Sequence, residues 1–173
     1  GGGRCDMSEE LRKKIEQQIE SAFAETPYPG DDLISKTMND EVSRAFRAIH
    51  WHDLSLKQII DYGMDLQAFT PEGFRFYLPA FLLAVLRYYG QVSTLPISLM
   101  HSLAPPDPNL YLKYQESQSP HNSFSDFLSS VSVFTLREKA AIRDFLLSYR
   151  RLYPEATREQ RHLNRALDFW KTA

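Results

Sequence analysis

Every residue from Phe76 to Leu86 is apolar or tyrosine, and the run is bracketed by Arg75 and Arg87. Eleven such residues are too few to cross a bilayer, which takes about 20. They are also too apolar for a surface helix, whose hydrophobic stripe covers one side only. The rest of the chain therefore has to wrap this segment. Thr70 is placed to cap a helix with Pro71 at its first position, and Gly90 closes it, so the run predicts a central buried helix over about 70–89. Pro79 falls inside it, removes one backbone hydrogen bond and predicts a kink near Arg75. A bend of this kind favours an apolar pocket beside the helix.

The flanking sequence is helical by the same logic. Leu11, Ile15, Ile19, Ala22 and Phe23 recur at three- and four-residue spacing after Ser8, Glu9 and Glu10, which predicts an amphipathic first helix. A second helix is expected from Asp31 or Asp32 to about Ala48. A short third follows the capping box Ser55-x-x-Gln58 and stops near Gly63. Further helices are predicted around Leu95 to Leu103 and Ser123 to Val133. Capping boxes Thr135-x-x-Glu138 and Thr157-x-x-Gln160 predict two more, separated at Pro154 and ending near Tyr153 and Trp170. Seven serines within 117–132 mark a mobile, Ser-rich loop near 115–123. The fold class expected is all-α: one compact domain of about seven or eight helices over 7–173. Leu (21) and Ala (13) together outnumber Val, Ile and Thr, which agrees.

A 173-residue chain fits one domain and can bury a core without metals or disulfides. Its lone cysteine, Cys5, lies in Gly1–Asp6, which reads as a remnant of cloning ahead of a native start at Met7. That leaves no disulfide framework, thiol nucleophile or cysteine-ligated zinc, and a reducing cytoplasm is the simplest compartment. Gly30, Gly63, Gly73 and Gly90 are isolated, so no phosphate-cradling loop is expected. No cofactor is implied, and no membrane span.

The candidate site residues are few. His50-x-His52-Asp53 is the most metal-like cluster, but two histidines two apart share a face only on a strand, and the context is a helix-to-helix link. His101, His121 and His162 are scattered, so no metal site is expected. Tyr28-Pro29-Gly30-Asp31-Asp32 puts adjacent acids on a stiff turn; helix capping is their first reading, and a partner contact through Tyr28, Asp31 and Asp32 the second. Trp51 joins that set as an aromatic beside a turn. Phe74, Tyr77, Phe81, Tyr88 and Tyr89 follow helical spacing and read as core. Residues 1–134 carry a net charge of -6 and residues 135–173 a net of +4. Within the basic part Arg158, Arg161 and Arg165 are three and four apart, hence on one helix face, solvated and paired with Glu155 and Glu159, or else open to a phosphate or an acidic partner.

Three stretches together resemble a small, uncharacterised bacterial family of helical proteins, a domain of unknown function. They are the first helix running into Phe23 and Tyr28-Pro29-Gly30-Asp31; Trp51 followed by Leu54; and Phe69-Thr-Pro-Glu-Gly-Phe-Arg-Phe-Tyr-Leu-Pro-Ala-Phe-Leu82. The resemblance covers about the first 105 residues, and Gly73 stands where the family more often has alanine. It implies a bacterial, cytoplasmic protein and supplies no activity, so it assigns no catalytic residue.

The sequence therefore leads to a non-catalytic binding protein engaging another protein. The alternatives are an enzyme whose site assembles from dispersed residues and a nucleic-acid-associated module acting through the basic C-terminal helices. A net charge of -2 disfavours the last. The oligomeric state stays open.

Overall fold

A computed structural model describes residues 3–30, 40–107 and 124–173. Among these the chain forms eight α-helices and no strand: α1 (Gly3–Phe23), α2 (Asp40–Phe46), α3 (Leu56–Tyr62), α4 (Pro71–Arg87), α5 (Leu95–Leu103), α6 (Phe124–Ser132), α7 (Leu136–Leu152) and α8 (Gln160–Trp170). Two 3₁₀ turns, Trp51–Asp53 and Gly63–Ala68, flank α3. The all-α architecture is the one the sequence predicts. The Ser-rich segment near 115–123, Asp31 and Asp32 lie outside the described residues.

Helix α4 is the hub. Thr70 accepts from the Gly73 N–H and Pro71 opens the helix. Every residue from Phe76 to Leu86 is buried. The helix is continuous across Pro79, and α1, α3, α5, α6 and both 3₁₀ turns pack around it. Helix α7 reaches the hub through α1, its most extensive partner, with Ile15, Ile19 and Phe23 meeting a face that includes Ile142, Phe145 and Tyr149. The two ends of α7 are tied directly to the two ends of α4. Arg75 pairs with Glu138 at 2.9 Å at one end, and the Tyr153 hydroxyl donates to the Leu86 carbonyl at 3.1 Å at the other.

The capping boxes at Ser55 and Thr135 are present as expected. Two helix starts differ. Helix α1 begins at Gly3, upstream of the acidic turn at Ser8–Glu10. Helix α8 begins at Gln160 with Glu159 at its cap position and no side-chain cap bond, so Thr157 does not open it. The reason lies in tertiary contact. Glu159 is turned inward, 5% exposed, to accept from the buried Tyr149 hydroxyl. An unpaired phenol in the core would cost more than a cap contributes. Tyr88 and Tyr89 also depart from the core reading: they follow the last turn of α4 and are about two-fifths exposed.

Leu82 is fully buried on the hub. Replacing it with alanine should lower unfolding free energy by roughly 2–5 kcal/mol. Chemical denaturation with an unchanged midpoint would show that α4 does not hold the core.

Candidate functional site

The turn after α2 is built by tyrosines from elsewhere in the chain. Ala48 adopts a left-handed φ of 61°, and its N–H donates to the Tyr28 hydroxyl oxygen at 2.8 Å. Buried Tyr77 reaches the carbonyls of Phe46 and Ile49 at 2.6 and 2.8 Å, ending α2 from below. Desolvation holds the Tyr77 phenol well above its ordinary pKa, so it stays a neutral donor there. Tyr28 and His50 both sit edge-on to Phe76, at ring-centroid distances of 5.4 and 5.2 Å, and His50 lies against Trp51 at 5.3 Å. The structure thus brings Tyr28 and Trp51 into one aromatic cluster. His50 and His52 belong to it locally, with His50 Nδ1 accepting from the His52 N–H at 3.1 Å.

Beside this turn, Trp51, His52 and Leu54 face the α4 residues Ala80, Leu83 and Ala84 across a cleft of about 130 Å³ that α3 also lines. It begins one residue after Pro79. The small side chains of Ala80 and Ala84, one turn apart, line its floor. Arg87 and Tyr88 form one end. Arg87 is held by Glu16 at 3.2 Å and Glu20 at 2.9 Å, both on α1. Trp51 is 4% exposed, and its indole N–H has no acceptor among the described residues. The lining side chains of the cleft are mostly aliphatic and aromatic, but the surface they present to it is at least as polar as apolar, and the Arg87 guanidinium at the end is paired with two carboxylates. A lining of this mixed kind suits an amphipathic group with an apolar body and a polar tip.

The arginine stripe is not as the sequence suggests. Arg158 precedes α8 and is exposed, off the helix altogether. Arg161 pairs with Asp107 at 2.7 Å, and Arg165 donates to the Pro105 carbonyl. Their partners are therefore the segment leaving α5, not Glu155 and Glu159. That segment needs them: Asp107 is 9% exposed and a carboxylate at that depth requires a cation. Trp51 and the arginines lie on different elements, and no contact among the described residues joins the two groups.

The same clasp assembles a pair that spacing could not reveal. His101 on α5 and His162 on α8 meet edge-to-face at a centroid distance of 5.0 Å. Gln67 Nε2 lies 2.6 Å from His101 Nδ1, while His162 Nδ1 is sealed from solvent with no partner among the described residues. His101 keeps contact with solvent, but desolvation by the groups packed around its ring, followed by Arg165, holds it below the ordinary histidine value. Desolvation also leads for His162, followed by His101, Arg165 and Arg161, with Asp107 opposing. No group of three or more metal-ligating side chains occurs among the described residues.

The sequence model of one family spans nearly all of this architecture, matching residues 11–173. The chain belongs to DUF6714, a family of unknown function. The match runs well past the first 105 residues and takes in α6, α7 and α8. No curated protein and no solved structure matches the chain. No helix among the described residues is long and apolar enough to cross a membrane.

Because both histidines are depressed, the unfolded chain takes up these protons before the folded chain does. Their contribution to stability is therefore complete above the unfolded pKa of about 6.5 and is lost as pH falls through it. The melting temperature should drop between about pH 7.5 and pH 5.5, and the double variant His101→Gln/His162→Gln should show a smaller drop. Equal drops in parent and variant would show that the pair does not report on pH.

Proposed function

We propose that this chain is a bacterial, cytoplasmic protein that acts by binding another protein and carries no chemistry of its own. The observation behind this reading is the cleft beside Trp51 and its mouth. Tyr88, which lines the cleft, is 39% exposed beside Arg87 with its two glutamates, and the next residue, Tyr89, lies outside the lining and is 40% exposed. A tyrosine and an arginine beside a small recess lined by Trp51, leucines and alanines have the composition of an interface centre. Tyr89 is also preorganised, stacked on Tyr153 at 3.8 Å and 12°, so holding it still costs little on binding. The bacterial, cytoplasmic placement rests on the resemblance of the Phe69–Leu82 stretch, and a lone cysteine suits a reducing compartment. Arg161 and Arg165 already have Asp107 and the Pro105 carbonyl as partners, which weakens the case for a phosphate track along α8. The second reading is an enzyme assembled from dispersed residues, and the His101–His162 contact is the feature that favours it.

A photo-crosslinking residue placed at Tyr88 should give one defined protein adduct in cells, and one placed at exposed Asp168 should not. With that partner purified, Tyr88→Ala should weaken binding about thirtyfold, as loss of a central aromatic does. Its melting temperature should stay near that of the parent. An adduct pattern shared by both positions, or unchanged affinity in the alanine variant, would overturn the reading.

A further inference from the structure

The His101–His162 pair lies outside the cleft and is not used by the binding reading above. Three elements converge on it. Helix α5 contributes His101, and the 3₁₀ turn Gly63–Ala68 contributes Gln67. Helix α8 contributes Arg161, His162 and Arg165, of which 161 and 165 are one turn apart and 162 and 165 share a neighbouring face. The segment after α5 supplies the Pro105 carbonyl and Asp107. Asp65 on the 3₁₀ turn interacts with Glu41 instead. Four nitrogen-rich side chains thus meet one carboxylate.

That inventory selects a ligand class. A dication is disfavoured, because two guanidinium groups already stand there and no third ligand joins the histidines among the described residues. A polyanion is disfavoured too: the chain carries 22 acids against 20 bases, and Arg158, which would extend a track, is off the helix. A compact dianion meets neither objection. Each guanidinium has five N–H donors, and the bonds to Asp107 and the Pro105 carbonyl each use a single terminal nitrogen. Arg161 keeps 70% of its side chain in solvent and His101 is exposed, so the cluster is open to solution.

We infer that His101, His162, Arg161 and Arg165 form a proton-gated site for a small oxyanion, a free phosphate or sulfate or the phosphoryl group of a small metabolite. With the imidazoles neutral, His101 Nδ1 accepts from the Gln67 amide and the arginines alone face the ligand. When the rings take up protons, the Gln67 amide turns to present its oxygen, and the added charge is offset by the anion. Binding and protonation therefore assist each other by linkage, so the site gains affinity as pH falls below the ordinary histidine value, through the lower range in which the folded rings take up protons.

Sulfate is the probe, because it stays doubly charged across this range. Its affinity should be measured from the shifts of the two imidazole resonances, with ionic strength held constant by sodium chloride. We expect saturable binding at about pH 5.5 that weakens about tenfold or more at about pH 7.5. His101→Asn, an exposed position at which folding is retained, should lower the acid affinity toward the neutral value. Arg165→Gln should weaken binding at both pH values, and Arg158→Gln should change neither. Inorganic phosphate should compete with sulfate. Non-saturating shifts, affinity independent of pH, or an equal loss in Arg158→Gln would overturn the proposal. So would a single-stranded oligonucleotide that displaces sulfate with far higher affinity, which would make the cluster a nucleic-acid contact.

Discussion

Glu138 carries a charge into the core at 1% exposure and is the point through which three helices are joined. Its carboxylate accepts from the Thr135 N–H at 2.6 Å, completing the capping box that starts α7. It also accepts from the Thr26 hydroxyl at 2.6 Å just beyond α1, and from Arg75 Nε on α4 at 2.9 and 3.0 Å. A buried carboxylate is tolerable only when paired and fully hydrogen-bonded, and here a cation, a hydroxyl and a backbone N–H do both. The arrangement is directional where the apolar contacts around it are not. It fixes the position of α7 relative to α1 and α4.

The other helix ends obey a related rule. A helix leaves its last carbonyls without intrahelical partners, and here donors remote in sequence supply them. Tyr77 serves the end of α2, Tyr153 that of α4, and Trp170 that of α5, where its indole N–H reaches the Leu103 carbonyl at 2.8 Å. Glycine explains less of this than the sequence suggests. Gly63 ends α3 with a right-handed φ of -62°, so no left-handed cap requires it. Its lack of a side chain instead leaves room for the tip of Leu95 on α5, because a Cβ there would meet Leu95 Cδ1 at 2.5 Å. Starts of helices were therefore legible and their ends less so. Ser55, Thr70 and Thr135 act on groups three residues away, whereas Tyr77, Tyr153 and Trp170 act across 28 to 67 positions.

The same distinction separates what could and could not be read of the candidate sites. Trp51 stood out as an aromatic beside a turn, and it does line the cleft. Tyr28 was chosen as a contact residue, yet its hydroxyl supports the left-handed Ala48, a role no local pattern encodes. Tyr88 and Tyr89 fit the helical period of the core. They escape burial because α4 ends at Arg87, which pairs with Glu16 and Glu20, 71 and 67 residues away. His101 and His162 carried no signal at all, since 61 positions separate them and they meet through tertiary contacts between α5 and α8: the Trp170–Leu103 bond and the Arg161–Asp107 and Arg165–Pro105 clasp.

The charge asymmetry of the chain acquires a structural meaning from these contacts. The surplus of bases after residue 134 invites a search for an external polyanion. Yet α7 and α8 meet the earlier chain through polar bonds at several of these very positions. Arg137 donates to Ser21, Arg161 to Asp107 and Arg165 to the Pro105 carbonyl, while Asp144 accepts from Gln18. Asp107 and Glu138 lie deep enough that screening by salt reaches them poorly, so these pairs act as packing contacts more than as a long-range field. What remains for solution is local: Arg150 and Arg151 at the exposed end of α7, Arg158 ahead of α8, and the outer side of the α5–α8 clasp. A basic stretch in sequence is thus largely a means of seating two late helices on an acidic earlier body. Any anion chemistry is confined to the place where that seating gathers more nitrogen donors than its own carboxylate can occupy.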